Sequence, residues 1–138
     1  MSLSADSALG FDPPERIPLP GPDDAIAWAR TIPDFGWYPE VYVLFLDADR
    51  SLRRAAWLGS TTRLDDFVPW PDFSLGYRPA GGTDAVMLLV CRPGEGVEPT
   101  PDDRQVFELL RSTHEALGVH LVDVLLVDGR RWTSMARR

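Results

Sequence analysis

Three nearly unbroken apolar runs, at residues 41–46, 85–91 and 121–127, constrain this chain more than any other feature. A half-exposed strand alternates apolar and polar residues. Runs without that alternation, rich in valine, leucine and aromatic side chains, fit strands buried on both faces. A sheet built from them needs cover on each side.

Proline and glycine divide the rest. Pro13, Pro14, Pro18, Pro20 and Pro22 crowd residues 1–22, too densely for a long hydrogen-bonded ladder, and predict an extended proline-rich arm. The sequence leaves open whether that arm packs on its own domain or on another chain. A single domain is expected over 23–138. Asp23 or Asp24 is placed to cap a short helix running to Ile32 and stopped by Pro33. Asp47-Ala48-Asp49-Arg50 supplies turn chemistry, so 52–58 returns as the second strand of a hairpin. Residues 60–84, with Pro69, Pro71, Gly76, Pro79, Gly81 and Gly82, exclude a long regular element.

After the run at 85–91 comes a loop, Arg92-Pro93-Gly94-Glu95-Gly96, and then a helix start. Thr100 is a capping hydroxyl, Pro101 suits the first helical position, and Asp103 stands three residues after the cap. Val106, Phe107, Leu109, Leu110, Thr113 and Leu117 recur at helical spacing as the expected buried face, and Gly118 ends the helix. Asp128-Gly129 is a tight-turn signal between the third run and a short closing strand at 132–135. Helix, strand, strand, irregular segment, strand, helix, strand, strand predicts an α/β sandwich: a mixed sheet with flanking helices.

Composition removes several functions. Fourteen basic and 21 acidic residues in 138 give a formal charge of −7, which repels a phosphate backbone, so nucleic acid is a poor expectation. No apolar stretch reaches membrane-spanning length, and residues 1–10 lack the pattern of a signal peptide. The single cysteine, Cys91, allows no internal disulfide. A cytoplasmic protein without a membrane partner is expected.

The second half carries a more specific pattern. Val86-Met87-Leu88-Leu89-Val90-Cys91-Arg92-Pro93 is followed by Glu98-Pro99-Thr100-Pro101-Asp102-Asp103, and then by Leu117-Gly118-Val119-His120-Leu121-Val122-Asp123-Val124-Leu125-Leu126-Val127-Asp128-Gly129, with Ser134 in the strand after it. Together with the opening Val43-Leu44-Phe45-Leu46-Asp47 and Arg50-Ser51-Leu52, this resembles the RadC branch of the JAB/MPN (JAMM metalloprotease-like) domains over residues 39–135. The resemblance implies a three-layer α/β sandwich of the JAB/MPN, cytidine deaminase-like fold. It also implies relatives that are zinc-dependent isopeptidases or are named for DNA repair.

The departures bear on function. Active members hold zinc through His-x-His and an aspartate, leaving a fourth position for the attacking water. The resemblance lays those positions on Val90, Arg92 and Asp103, with ten residues between the last two. Valine offers no lone pair and arginine is a permanent cation, so one carboxylate remains. The family's serine falls on Thr100. Its glutamate falls on Pro39, and Glu40, one residue away, would take over only with a shifted register or a bulge.

Each residue also has a simpler role. Asp103 fits a capping box with Thr100 as well as a remnant ligand, and it is placed to pair with Arg92 across the former site. Cys91 fits a buried, inert thiol. His114, late in the helix, suits a cation at the dipole's negative end, and His120 precedes a strand. Arg130, Arg131, Arg137 and Arg138 form a basic end, solvated or in weak phosphate contact. Most aromatics between residues 28 and 77 suit the core, while those around Pro69-Trp70-Pro71 suit a peptide or self-association surface.

The expectation is a metal-free, non-catalytic RadC-like domain that binds a protein or peptide, or itself, through 60–84, with no cofactor. The alternatives are a zinc-dependent hydrolase with relocated ligands (Asp103, His114 and Glu40 or Glu98) and a DNA-repair-associated protein.

Overall fold

The structure, a computed structural model, describes residues 11–60, 78–79 and 81–137. Among them stand β1 (Ile17–Pro18), α1 (Pro22–Ala29), β2 (Glu40–Leu46), β3 (Ser51–Gly59), β4 (Ala85–Cys91), α2 (Pro101–Ala116), β5 (His120–Asp128) and β6 (Arg131–Ser134). The chain is a mixed α/β protein, and the described residues form a six-stranded sheet in the order β1-β3-β2-β4-β5-β6. Only β4 and β5 run parallel, joined through α2, and the other neighbours are antiparallel.

The three apolar runs take the centre. Every residue of β4 is buried, and so are Val41 to Leu46 of β2. Alternate residues feed two separate clusters. Tyr42, Leu44, Leu46, Met87, Leu89, Cys91, Leu125 and Val127 pack with Ala25, Ile26 and Ala29 of α1. Val41, Val43, Phe45, Val86, Leu88, Val90, Leu126 and Met135 pack with Phe107 and Leu110 of α2. A strand with apolar residues at every position thus meets a different helix on each side.

The hairpin between β2 and β3 closes where expected. The Asp47 carboxylate accepts the backbone N–H groups of Asp49 and Ser51, both at 2.9 Å, and Arg50 takes the left-handed conformation with φ 64°.

Packing answers what the sequence left open about the arm, and several other local expectations give way. Residues 11–22 lie against their own domain: Phe11 bridges Ala55, and Ile17 and Pro18 pair with Leu52 and Ser51 as a short edge strand. An edge tolerates proline because its outward side needs no donor. The cap of α1 is Gly21, with Pro22 at the first position, and the Asp24 carboxylate accepts the Gly21 N–H at 3.1 Å. That helix stops at Ala29, short of Ile32. On α2, Leu109 and Leu117 are exposed, while His114 takes a buried place. The peptide or self-association surface assigned to 60–84 lies largely outside the described residues, as does Trp70.

Candidate functional site

The end of β4 and the start of α2 meet on the face covered by α2. Val90 is fully buried, opposite Val41 of β2 and Leu126 of β5. Arg92 continues beyond the strand, its N–H donating to the Val127 carbonyl at 2.8 Å. Two residues after Val90, it reaches toward the same face.

Arg92 and Asp103 form a two-pronged ion pair. Nη1 donates to Oδ1 at 3.0 Å and Nη2 to Oδ2 at 3.1 Å, with both residues 8% exposed. Asp103 Oδ2 also accepts the Thr100 N–H at 2.9 Å, and Thr100 Oγ1 accepts the Asp103 N–H at 3.0 Å, completing a capping box. One carboxylate therefore closes the helix start and holds the arginine. Burial alone would raise the Asp103 carboxyl, but Arg92 and the Thr100 donors outweigh it and hold it below the ordinary carboxylate range.

A zinc ion does not fit this donor set. The Val90 side chain carries no donor, the Arg92 guanidinium is a cation at the second position, and both Asp103 oxygens are engaged. The relocated set does not converge either. Glu40 lies opposite Cys91 in an unbroken β2–β4 register, which puts it on the α1 side, away from Val90. Its carboxylate accepts the Tyr42 hydroxyl at 2.8 Å. His114 is 1% exposed, with Nδ1 at 2.7 Å from the Leu110 carbonyl. Burial lowers its pKa, only partly offset by that carbonyl, which favours the neutral form over a cation complementing the helix dipole. Glu98 is exposed in the loop before α2. Among the described residues no three His, Cys, Asp or Glu side chains are grouped to hold a metal ion.

The loop over this end is fixed from β5. Both Asp128 oxygens accept backbone donors, from Gly94 at 3.0 Å and Gly96 at 2.8 Å, and these donors lower its carboxyl pKa. Gly94 and Gly96 take φ of 83° and 75°, conformations that other residues enter at a cost. Arg92 is thus anchored at its backbone by β5 and at its head by α2.

Cys91 lies on the other face, fully buried. Burial foremost, with the Glu40 charge, pushes its thiol up to about 12, the opposite of an activated nucleophile. Burial likewise drives the Tyr42 hydroxyl far above its usual range, with the Glu40 carboxylate adding to it.

Asp123 is a buried polar residue that the sequence alone did not single out. It interrupts the third apolar run and is 2% exposed. Its Oδ1 accepts the N–H groups of Val124 at 2.8 Å and Ala136 at 2.9 Å, and Oδ2 accepts the Ser134 hydroxyl. Ser134 Oγ in turn accepts the Arg137 N–H at 3.1 Å. Burial raises the Asp123 carboxyl, and these donors offset only part of the effect. The β4–β5 register shifts between Val86 and Met87, so Asp123 sits at a bulge. The arrangement fastens the chain after β6 onto β5.

Scanned against protein-family models and searched against curated proteins, the chain matches none.

Proposed function

We propose that this chain is a RadC-like JAB/MPN domain, a three-layer α/β sandwich of the deaminase-like kind, in which an ion pair replaces the metal site. It works as a non-catalytic module that binds a protein or peptide. The observation that carries the reading is the Arg92–Asp103 pair. At the positions where the resemblance implies a second histidine and an aspartate, an arginine and an aspartate hold each other at 3.0 and 3.1 Å. The order of the elements around it supports the same reading: a buried strand, a glycine loop, a proline-started helix, then a strand parallel to the first.

A hydrolase would need a water activated by a metal or by a base of suitable pKa in reach. Around Arg92 the structure supplies a cation already paired, and Cys91 is held as a neutral thiol on the far face. What remains is a packed sheet with side chains available for recognition. The basic residues near the C-terminus give little support to a DNA-repair role: Arg131 stands 3.7 Å from Asp128 and Arg137 3.3 Å from Asp23, on a chain of charge −7. No helix of the described residues is long and apolar enough to cross a membrane.

Zinc content per chain, measured by elemental analysis on untagged protein purified without chelators, tests the reading. Sub-stoichiometric metal and a melting temperature unmoved by added zinc are expected. Near-stoichiometric zinc would overturn it in favour of a hydrolase.

A further inference from the structure

A second place on the molecule brings together charge, aromatic surface and a rigid frame. It is a cleft of about 250 Å³ between the segment after α1 and the β5–β6 turn, lined by Arg30, Pro33, Asp34, Trp37, Gly129 and Arg130. Its walls are locked together through two glycines. The Gly129 N–H donates to the Gly36 carbonyl at 2.9 Å. A Cβ on Gly36 would stand 2.5 Å from the Gly129 carbonyl oxygen, and one on Gly129 would stand 3.0 Å from the Trp37 ring. Trp37 thus lies directly on the turn backbone, and yet it remains 58% exposed. Tyr38 beside it is 57% exposed.

The charges at the cleft are unevenly matched. Arg131 and Arg137 are opposed by Asp128 and Asp23. Arg30 reaches only a backbone acceptor, Nη2 donating to the Arg130 carbonyl at 2.8 Å, and the Arg130 side chain has no partner among the described residues. Two guanidiniums against the single Asp34 carboxylate leave the lining net positive on an acidic protein.

We infer that this cleft docks an acidic peptide segment of a partner protein, with a side-chain carboxylate between Arg30 and Arg130 and the adjoining chain lying across Trp37 and Tyr38. Tryptophan, tyrosine and arginine are the residues that concentrate binding energy at protein interfaces, and a guanidinium fork matches a carboxylate in geometry as well as charge. The volume suits one side chain and not a larger organic ligand. The positive lining favours an acidic segment, while the charge of the remaining surface works against a polynucleotide. This inference deepens the binding-module reading and rests on it.

The test is titration of the full ¹⁵N-labelled chain with hexaglutamate, observing the Trp37 indole N–H and the Gly36 and Gly129 amides. Inorganic phosphate and a single-stranded hexathymidylate serve as parallel arms. Saturable shifts at those three groups are expected with hexaglutamate, weakened at least tenfold in Arg130→Gln. That variant keeps the backbone carbonyl that Arg30 uses, and unchanged amide positions elsewhere establish its fold. No saturable shift, or an equal response in Arg130→Gln, overturns the assignment. So does a response to phosphate as strong as that to hexaglutamate, which reduces the cleft to a general anion contact, or tighter binding of hexathymidylate. Zinc-loaded protein that still binds hexaglutamate through Arg130 would overturn the metal-free reading and leave the cleft standing.

Discussion

Asp103 holds Arg92 with both carboxylate oxygens while one of them also accepts the Thr100 N–H, so a single side chain fastens β4 to α2 and closes the helix start. The pair is nearly out of water, with side chains 10% and 11% exposed. Breaking a pair in that setting by removing one partner strands the other charge.

Asp103→Ala is expected to destabilise the fold by about 3 kcal/mol or more, because it strands the Arg92 guanidinium and leaves the Thr100 N–H without its acceptor, while the Thr100 hydroxyl still caps the backbone N–H at 103. Arg92→Met is expected to cost less, because the remaining Asp103 carboxylate keeps the Thr100 N–H and can be neutralised by a proton, whereas the guanidinium left by Asp103→Ala stays charged. Urea unfolding of both variants checks the order, and equal losses would count against the double role. The folded Asp103 pKa lies below its ordinary value of 3.8. Its contribution is therefore fully present above 3.8 and lost as pH falls through the lower folded value.

Asp123 has the opposite sign. Its folded pKa lies above the ordinary 3.8, so the native state binds the proton more tightly than the unfolded chain. Stability then falls as pH rises from 3.8 through the raised value and stays reduced above it. Asp123→Asn keeps an oxygen for the Val124 and Ala136 donors and turns a donor toward Ser134, without the charge. The stability of Asp123→Asn relative to the parent is expected to climb with pH across that window. Denaturation midpoints between pH 3.5 and 8 would show it, and a pH-independent difference would falsify the assignment.

Cys91 is expected to resist thiol reagents in the native state. Its burial and a pKa of about 12 leave almost no accessible thiolate at neutral pH. Labelling with a disulfide reagent should be slow in buffer, fast in denaturant, and paced by opening of the fold. Rapid native labelling would place the thiol at a surface and sink this picture.

Gly36→Ala is expected to cost more than Gly118→Ala. Both glycines have positive φ, 89° and 79°, so both variants carry backbone strain of about 1–2 kcal/mol. Gly118 has open space around its missing Cβ, whereas at Gly36 the new methyl group would meet the Gly129 carbonyl at 2.5 Å. The excess should appear in thermal melts, together with loss of the Trp37 contact with Gly129. Equal costs would mean that the two walls of the cleft separate freely.

Much of the architecture was legible in local pattern. The run at 85–91 is β4 itself, Thr100, Pro101 and Asp103 begin α2 as their chemistry requires, and Asp128-Gly129 turns the chain into β6. These follow from the sequence because burial on both faces, a capping hydroxyl and a tight turn are fixed by residues within a few positions of each other. Leu109 shows the limit of periodicity: it has the right spacing and is 51% exposed, because the sheet covers only the stripe holding Asp103, Phe107, Leu110 and His114.

The facing of Glu40, the meeting of Arg92 with Asp103 and the cleft at Gly36 and Gly129 belong to the tertiary structure. Alternation along a strand says which residues share a face, but only the register with a neighbour says which helix that face meets. The pairing of Glu40 with Cys91 sends Glu40 to the α1 side, while Val90 turns to α2. Arg92 was marked by sequence as a cation where a metal ligand was implied. Its partner became certain only when α2 was laid across β4, bringing residues 92 and 103 within 3.0 Å. Gly36 and Gly129, far apart in the chain, acquired their shared constraint from the same folding, because close approach of two backbones is a property of packing and leaves no local signal.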